Sequence, residues 1–260
     1  MTTDSPDLAP RRRARRWPAL AAALGLLASV ALASPASTAG EPYRFDLYRQ
    51  GDFVSQTTAY MCVGASMQMM LNMIQPKDDR TAARQVELWT LARTYRRTSD
   101  PTRMDSGAIN WTRRGASSRG WALGLTELGA GPYRVTAEPT LKEAVHVAAR
   151  QMRVTGRPAG LLVWRGAHAW VISGFEATAD PLTDSAAQVI AVYVLDPWYP
   201  RVSKTWGPGV APHTRMTLAA LGQDWVQWRR SSNRPGLTGR WAMILPFDRW
   251  IPAPRLAAMT

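Results

Sequence analysis

Apolar positions along this chain change their period part-way through it. Cys62–Ile74 is an almost continuous apolar run that Pro76 stops, which predicts a buried helix. Thr81–Arg93 repeats apolar residues at helical spacing, with Ala82, Val86 and Trp89 on one face. A further helix is signalled by Thr140-Leu-Lys-Glu143, a capping box in which hydroxyl and carboxylate satisfy exposed N–H groups reciprocally. Leu141, Ala144, Val145, Ala148 and Met152 form its apolar stripe, and Gly156-Arg-Pro158 ends it. From there the pattern becomes short apolar runs bounded by turns. Strands are predicted at Ala159–Trp164, Ala167–Phe175, Gln188–Leu195 and Trp241–Pro246, with Arg165-Gly166 as a turn. Tyr43–Val54 alternates and is expected to pack on the main body, whereas Ser99–Gly120 has little period and reads as a long loop. Helices dominate the first half and antiparallel strands the second, an α+β arrangement.

Composition changes this picture first at the N-terminus. Arg11, Arg12, Arg13, Arg15 and Arg16 precede an apolar run, Leu20–Ala33, that ends on the small-residue site Ala31-Leu-Ala33. This is the pattern of a secretory signal, so residues 1–33 are set apart from the fold, 34–42 read as a linker, and 43–260 as one domain. The expected location is secreted or attached to the cell envelope. An uncleaved anchor is the alternative, although the run is shorter than the roughly 20 residues of a spanning helix. The Arg15-Arg16 pair leaves the export route open. Loss of five arginines with Asp4 and Asp7 takes the formal charge from +13 down by five and up by two, to +10. A basic exported protein is expected to be attracted to anionic cell-envelope polymer. No nucleic-acid-binding motif is present, so nucleic acid is not an expected partner.

Cys62 is the only cysteine in the chain. Exported proteins spend cysteines on disulfides, so a lone thiol is either a buried hydrophobe or a reactive group. Its position at the start of a helix places it at the positive end of the helix dipole, which favours a thiolate. Gln56 stands six residues ahead, where its side-chain N–H can serve a developing oxyanion beside the Cys62 N–H. Downstream, His168 opens one strand and Asp196 closes the next. If the loop between these strands is centred near position 182, opposed residues sum to about 364 and His168 faces Asp196 directly. An imidazole steadied by a carboxylate and facing a thiol is the layout of nucleophilic acyl transfer.

These residues resemble the papain-like cysteine peptidases, and most closely the bacteriocin-leader (double-glycine) peptidase-like branch. The resemblance lies in Gln56 six residues before Cys62, in Gly156-Arg-Pro-Ala-Gly-Leu-Leu-Val-Trp164 leading to Ala167-His-Ala-Trp-Val-Ile-Ser-Gly174, and in Val194-Leu-Asp196-Pro197. It spans roughly Tyr43–Pro200. It implies a papain-like fold, with a helical layer whose central helix bears the cysteine packed on an antiparallel sheet. It further implies amide hydrolysis by Cys62, His168 and Asp196 with Gln56 at the oxyanion, a peptide or protein substrate and no cofactor. Two departures stand out. Cys62-Val-Gly-Ala-Ser66 replaces the branch's Cys-Gly-Pro-Ala, so Val63 narrows access, and residues 201–260 have no counterpart.

Other chemistries fit the sequence less well. The three histidines have no H-x-x-x-H or C-x-x-C companion spacing for a metal, and no Gly-x-Ser-x-Gly elbow or glycine-rich phosphate loop exists. Of the twelve tryptophans, Trp164 and Trp170 fall on strands and suit a core, while Trp198, Tyr199 and Trp206 follow Asp196 in a Pro/Gly-rich segment. Trp170, Trp198 and Tyr199 are the candidates for substrate binding. An inactive binding module for envelope peptide or glycan, or an acyltransferase of the cell wall, would use the same residues.

Overall fold

A computed structural model describes residues 41–94, 115–228 and 235–248. The expected signal segment, nearly all of the expected linker and most of the expected loop at Ser99–Gly120 therefore lie outside the described residues. Among the described residues no helix is long and apolar enough to cross a membrane.

The chain runs β1 (Tyr43–Asp46), α1 (Cys62–Ile74), α2 (Ala82–Thr94), α3 (Ser118–Glu127), β2 (Tyr133–Glu138), α4 (Leu141–Thr155), β3 (Ala159–Val163) and β4 (His168–Ala177). It continues through β5 (Val189–Leu195), β6 (Val202–Ser203), β7 (Gly207–Pro208), β8 (Thr214–Thr217), α5 (Leu218–Asp224) and β9 (Trp241–Pro246). This is the mixed α and β architecture expected. One seven-stranded sheet has the order β2-β9-β3-β4-β5-β8, with β1 also paired to β4, and each pairing in it is antiparallel. β6 and β7 form a separate two-stranded ribbon.

Period-2 alternation divides the sheet between two cores. Leu161, Val163, Trp170, Ile172, Val192, Val194 and Met243 turn to the side covered by α4 and α5. Leu162, Ala169, Val171, Leu195, Ala242 and Ile244 turn to the side covered by α1, α2 and α3. The helices thus cover both faces, where the sequence led to a single helical layer. Every residue of β4 is buried, because this strand lies inside the sheet with helices on either side. Its polar members are bonded within the fold, Ser173 donating to the Tyr193 carbonyl and Glu176 accepting from Arg215.

Several local expectations are corrected. α3 begins in the last three residues of the stretch that read as loop, and β2 lies where no element was assigned. In α3, Gly120 packs so closely on α2 that an added Cβ would lie 1.7 Å from the Ala92 carbonyl oxygen. α2 turns a different face inward: Gln85, Leu88, Trp89 and Ala92 are buried, while Val86 is 43% exposed. Buried Gln85 accepts from Thr57 N at 2.7 Å and donates to the Ser55 carbonyl at 3.1 Å, so its polarity is satisfied by the loop ahead of α1. Tyr43–Val54 gives only the short strand β1.

Candidate active site

Cys62 is carried on α1, and α1 is seated against β4 by small and polar side chains. A Cβ on Gly64 would lie 2.7 Å from the Gln85 carbonyl oxygen, so only glycine permits this approach of α2. One turn beyond the thiol, Ser66 donates to the carbonyl of Ala169 at 3.3 Å. That bond ties the cysteine-bearing turn to the residue after His168. Met61, the N-cap, provides no side-chain acceptor, and the first turn contains no acid. The opening N–H groups of α1 thus face the site without competition from a carboxylate.

His168 begins β4, and its Nε2 lies 2.7 Å from Oδ1 of Asp196. Asp196 is fully buried and accepts two more bonds, from Trp198 N to Oδ1 at 2.8 Å and from Val210 N to Oδ2 at 3.0 Å. An ionised carboxylate only accepts, so Nε2 carries the proton in this pair. The bond from Trp198 N is also an Asx turn, so Asp196 both starts the turn after β5 and holds the imidazole.

The ladder that creates this pair differs from the expected one. Val171 pairs with Leu195 and Ile172 with Val194, an index sum of 366. A bulge at Ser173 shifts the following pairs by one. The connection is centred at 183, since Ala177 pairs with Val189. Asp196 continues this register opposite Trp170, so His168 meets it along the diagonal.

Burial pulls the His168 pKa down, but its bond to Asp196, the Cys62 side chain and the charges of both outweigh it and hold the value up at about 9. Cys62 thus acts on the imidazole at short range, and both side chains line one cavity. With Nε2 committed to Asp196, the remaining nitrogen, Nδ1, is the one available to sulfur.

Compared with protein-family models and with curated proteins, the chain finds no match.

A cavity of about 250 Å³ opens at the two reactive groups, walled by Cys62, His168, Val63, Ser117, Gly166 and Trp228 among others. Thiol, imidazole and serine hydroxyl share it with apolar walls. Val63 stands in the wall, as its place beside Cys62 suggested. Among the described residues no group of three His, Cys, Asp or Glu side chains is arranged to hold a metal.

The other candidates are placed as follows. Gln56 is buried, its backbone N–H donates to the Pro197 carbonyl at 2.8 Å, and its Nε2 donates to the Thr58 carbonyl at 2.6 Å. It is not among the residues lining the cavity. Trp170 is 1% exposed in the core under α4, so its assignment to substrate is corrected. Trp198 meets the His168 ring edge-on at 6.2 Å, and Tyr199 meets Phe53 at 6.2 Å; neither lines the cavity. The residues that do shape it, Trp228 and Ser117, were not legible as such. Trp228 comes from the segment after α5 and Ser117 caps α3, accepting from Gly120 N at 2.9 Å. Neither position carries a local signal connecting it to Cys62.

Proposed function

We propose that this chain is an exported, papain-like thiol hydrolase that cleaves amide bonds through Cys62, His168 and Asp196. The observation that carries the reading is the buried 2.7 Å bond from His168 to Asp196, with His168 and Cys62 lining one cavity. The Cys62 thiolate attacks the amide carbonyl carbon, and the Cys62 N–H steadies the oxyanion. His168 gives its Nδ1 proton to the leaving amine as the C–N bond breaks, leaving a thioester. It then takes a proton from water, which attacks the thioester, expels the Cys62 sulfur and releases the acid. Asp196 holds the ring so that Nδ1 points to sulfur throughout. Gln56 gives one side-chain N–H to Thr58, which leaves its second for the oxyanion. The substrate is a peptide or protein, and the basic surface favours approach to anionic envelope polymer.

The test is covalent labelling by a thiol-reactive peptide probe. Wild type labels at Cys62, Cys62→Ser does not label, and His168→Ala labels about 100-fold more slowly or worse with its circular dichroism unchanged. Equal labelling of wild type and His168→Ala removes the catalytic reading. It would favour the second one, an inactive module that binds peptide in the same cavity. Val63 in the cavity wall and the engaged Gln56 amide are what speak for that alternative.

A further inference from the structure

The imidazole has a third neighbour that the triad does not account for. The Trp164 indole lies over the His168 ring, with centroids 4.2 Å apart and planes 23° from parallel. Its Nε1 donates to Oδ1 of Asp224 at 2.9 Å, a residue 60 positions downstream. Trp164 is also stacked with Trp206, at 5.8 Å and 5°. This tryptophan occupies an unfavourable backbone conformation. Trp164, Arg165 and Gly166 have φ of 54°, 59° and 84°, in a turn where only the glycine is at home. Strained residues persist where their surroundings hold them, and they concentrate at functional sites. What holds Trp164 is Asp224, and Asp224 is itself fixed. Thr217 caps α5 by accepting from Ala220 N, Leu221 and Trp225 are fully buried, and the Trp225 indole donates to the Ala242 carbonyl at 3.1 Å.

We propose that Trp164 and Asp224 are positioning residues for His168: Asp224 anchors the indole by its N–H, and the indole face holds the imidazole flat and stabilises its protonated form. This rests on the reading above that His168 is the acid and base of the reaction. An aromatic face attracts a cation laid over it, and a carboxylate bonded to the far edge of the indole makes that face more negative. The groups of titrating charge around His168 are Asp196 beyond β5, Cys62 on α1 and Asp224 at the end of α5; Arg165 in the same turn is exposed. Burial raises the Asp224 carboxyl, the Trp164 N–H lowers it, the Asp196 charge raises it and the His168 charge lowers it, so the two sites feel each other. The dyad thus has a second carboxylate behind it, acting through an aromatic ring.

The test is an NMR titration of the full chain carrying isotope-labelled histidine, with the His168 signal identified by its loss in His168→Gln. In Asp224→Asn and in Trp164→Leu the His168 midpoint falls by about one pH unit. Trp164→Phe, which keeps a ring without the N–H, restores part of that fall and covers the case in which Trp164→Leu does not fold. Leu125→Ala, which opens the other core away from α5 and the indole, lowers Tm and leaves the midpoint where it is. A midpoint unmoved in both Asp224→Asn and Trp164→Phe overturns the proposal. Probe labelling of the same wild-type sample reports on the hydrolase reading separately. An inert Cys62 with mutant midpoints shifted rejects the enzyme and keeps the pair, and a labelled Cys62 with midpoints unmoved does the reverse.

Discussion

Asp196 reaches His168 along the diagonal of the β4–β5 ladder, closing a 2.7 Å bond between residues that do not sit directly opposite each other. Diagonal neighbours on one face of an antiparallel pair are separated by about 7–8 Å between Cα atoms, a span an imidazole and a carboxylate can bridge together. The carboxylate is then completed by two backbone donors, Trp198 N and Val210 N, on different segments. One buried side chain therefore joins the end of β5, the turn after it and the ribbon that leads to β8.

That arrangement separates two substitutions. Asp196→Asn keeps one acceptor oxygen but places an NH₂ against either the His168 or the Val210 donor, costing about 1–3 kcal/mol for the unsatisfied group. Asp196→Ala leaves all three donors without their acceptor and costs more. Urea midpoints should order wild type above Asp196→Asn above Asp196→Ala. Labelling of Cys62 should fall about 100-fold or more in both. A stable Asp196→Ala protein would mean that these donors find water instead.

The pH dependence of stability follows from His168. Its pKa stands near 9 in the folded chain against an ordinary value of 6.5. The folded state holds this proton more tightly, so the stabilisation is fully present below pH 6.5 and is lost as pH rises through about 9. Burial raises Tyr133 and Tyr193 above the ordinary tyrosine value, out of this window. Urea midpoints of wild type should therefore decline between about pH 6.5 and 9, and His168→Gln should lose that decline. A parallel decline in the variant would assign the effect to another group.

The parts of this structure that were legible in the sequence are those whose signal is local. α4 is written in full by its cap and stop: Thr140 Oγ1 accepts from Glu143 N at 3.1 Å, and Gly156 has φ 63°. The His168 and Asp196 pairing was visible for a related reason. Moving a hairpin centre by one residue changes the index sum by two, which preserves the face on which each side chain lies. The expected sum of about 364 was wrong, yet both residues remained on one face. What was not legible depends on distant contacts. α3 contains Gly120 and Gly124, poor helix formers, because α2 and Met67 approach them there. β2 is an edge strand whose partner, β9, comes a hundred residues later. Gln85 is polar yet buried, since only the fold brings it the loop at Ser55–Thr57. Trp164 reads as core and is core, but nothing in its neighbourhood announces that its ring covers His168.

Gly166 links the histidine turn to the far wall of the cavity, and its replacement should alter both. Its φ is 84°, and an added Cβ would come within 2.4 Å of the Trp228 ring. Gly166→Ala therefore incurs the cost of a left-handed alanine, about 1–2 kcal/mol, and overpacking against the indole of about 1–3 kcal/mol. Two responses are available to the molecule. The turn can shift, which carries Trp164 and His168 with it, or Trp228 can swing aside, which removes a wall of the cavity. The rigid ladder of β3 with β4 and the bond from Trp164 to Asp224 resist the first. The expected outcome is a protein less stable by about 2–5 kcal/mol in which Trp228 has moved and the cavity is wider. Bulky probes should then gain labelling rate at Cys62 relative to small ones, while the His168 midpoint stays close to wild type. A loss of labelling with every probe, accompanied by a shifted midpoint, would show that the turn moved instead and that Trp228 is the more firmly held of the two.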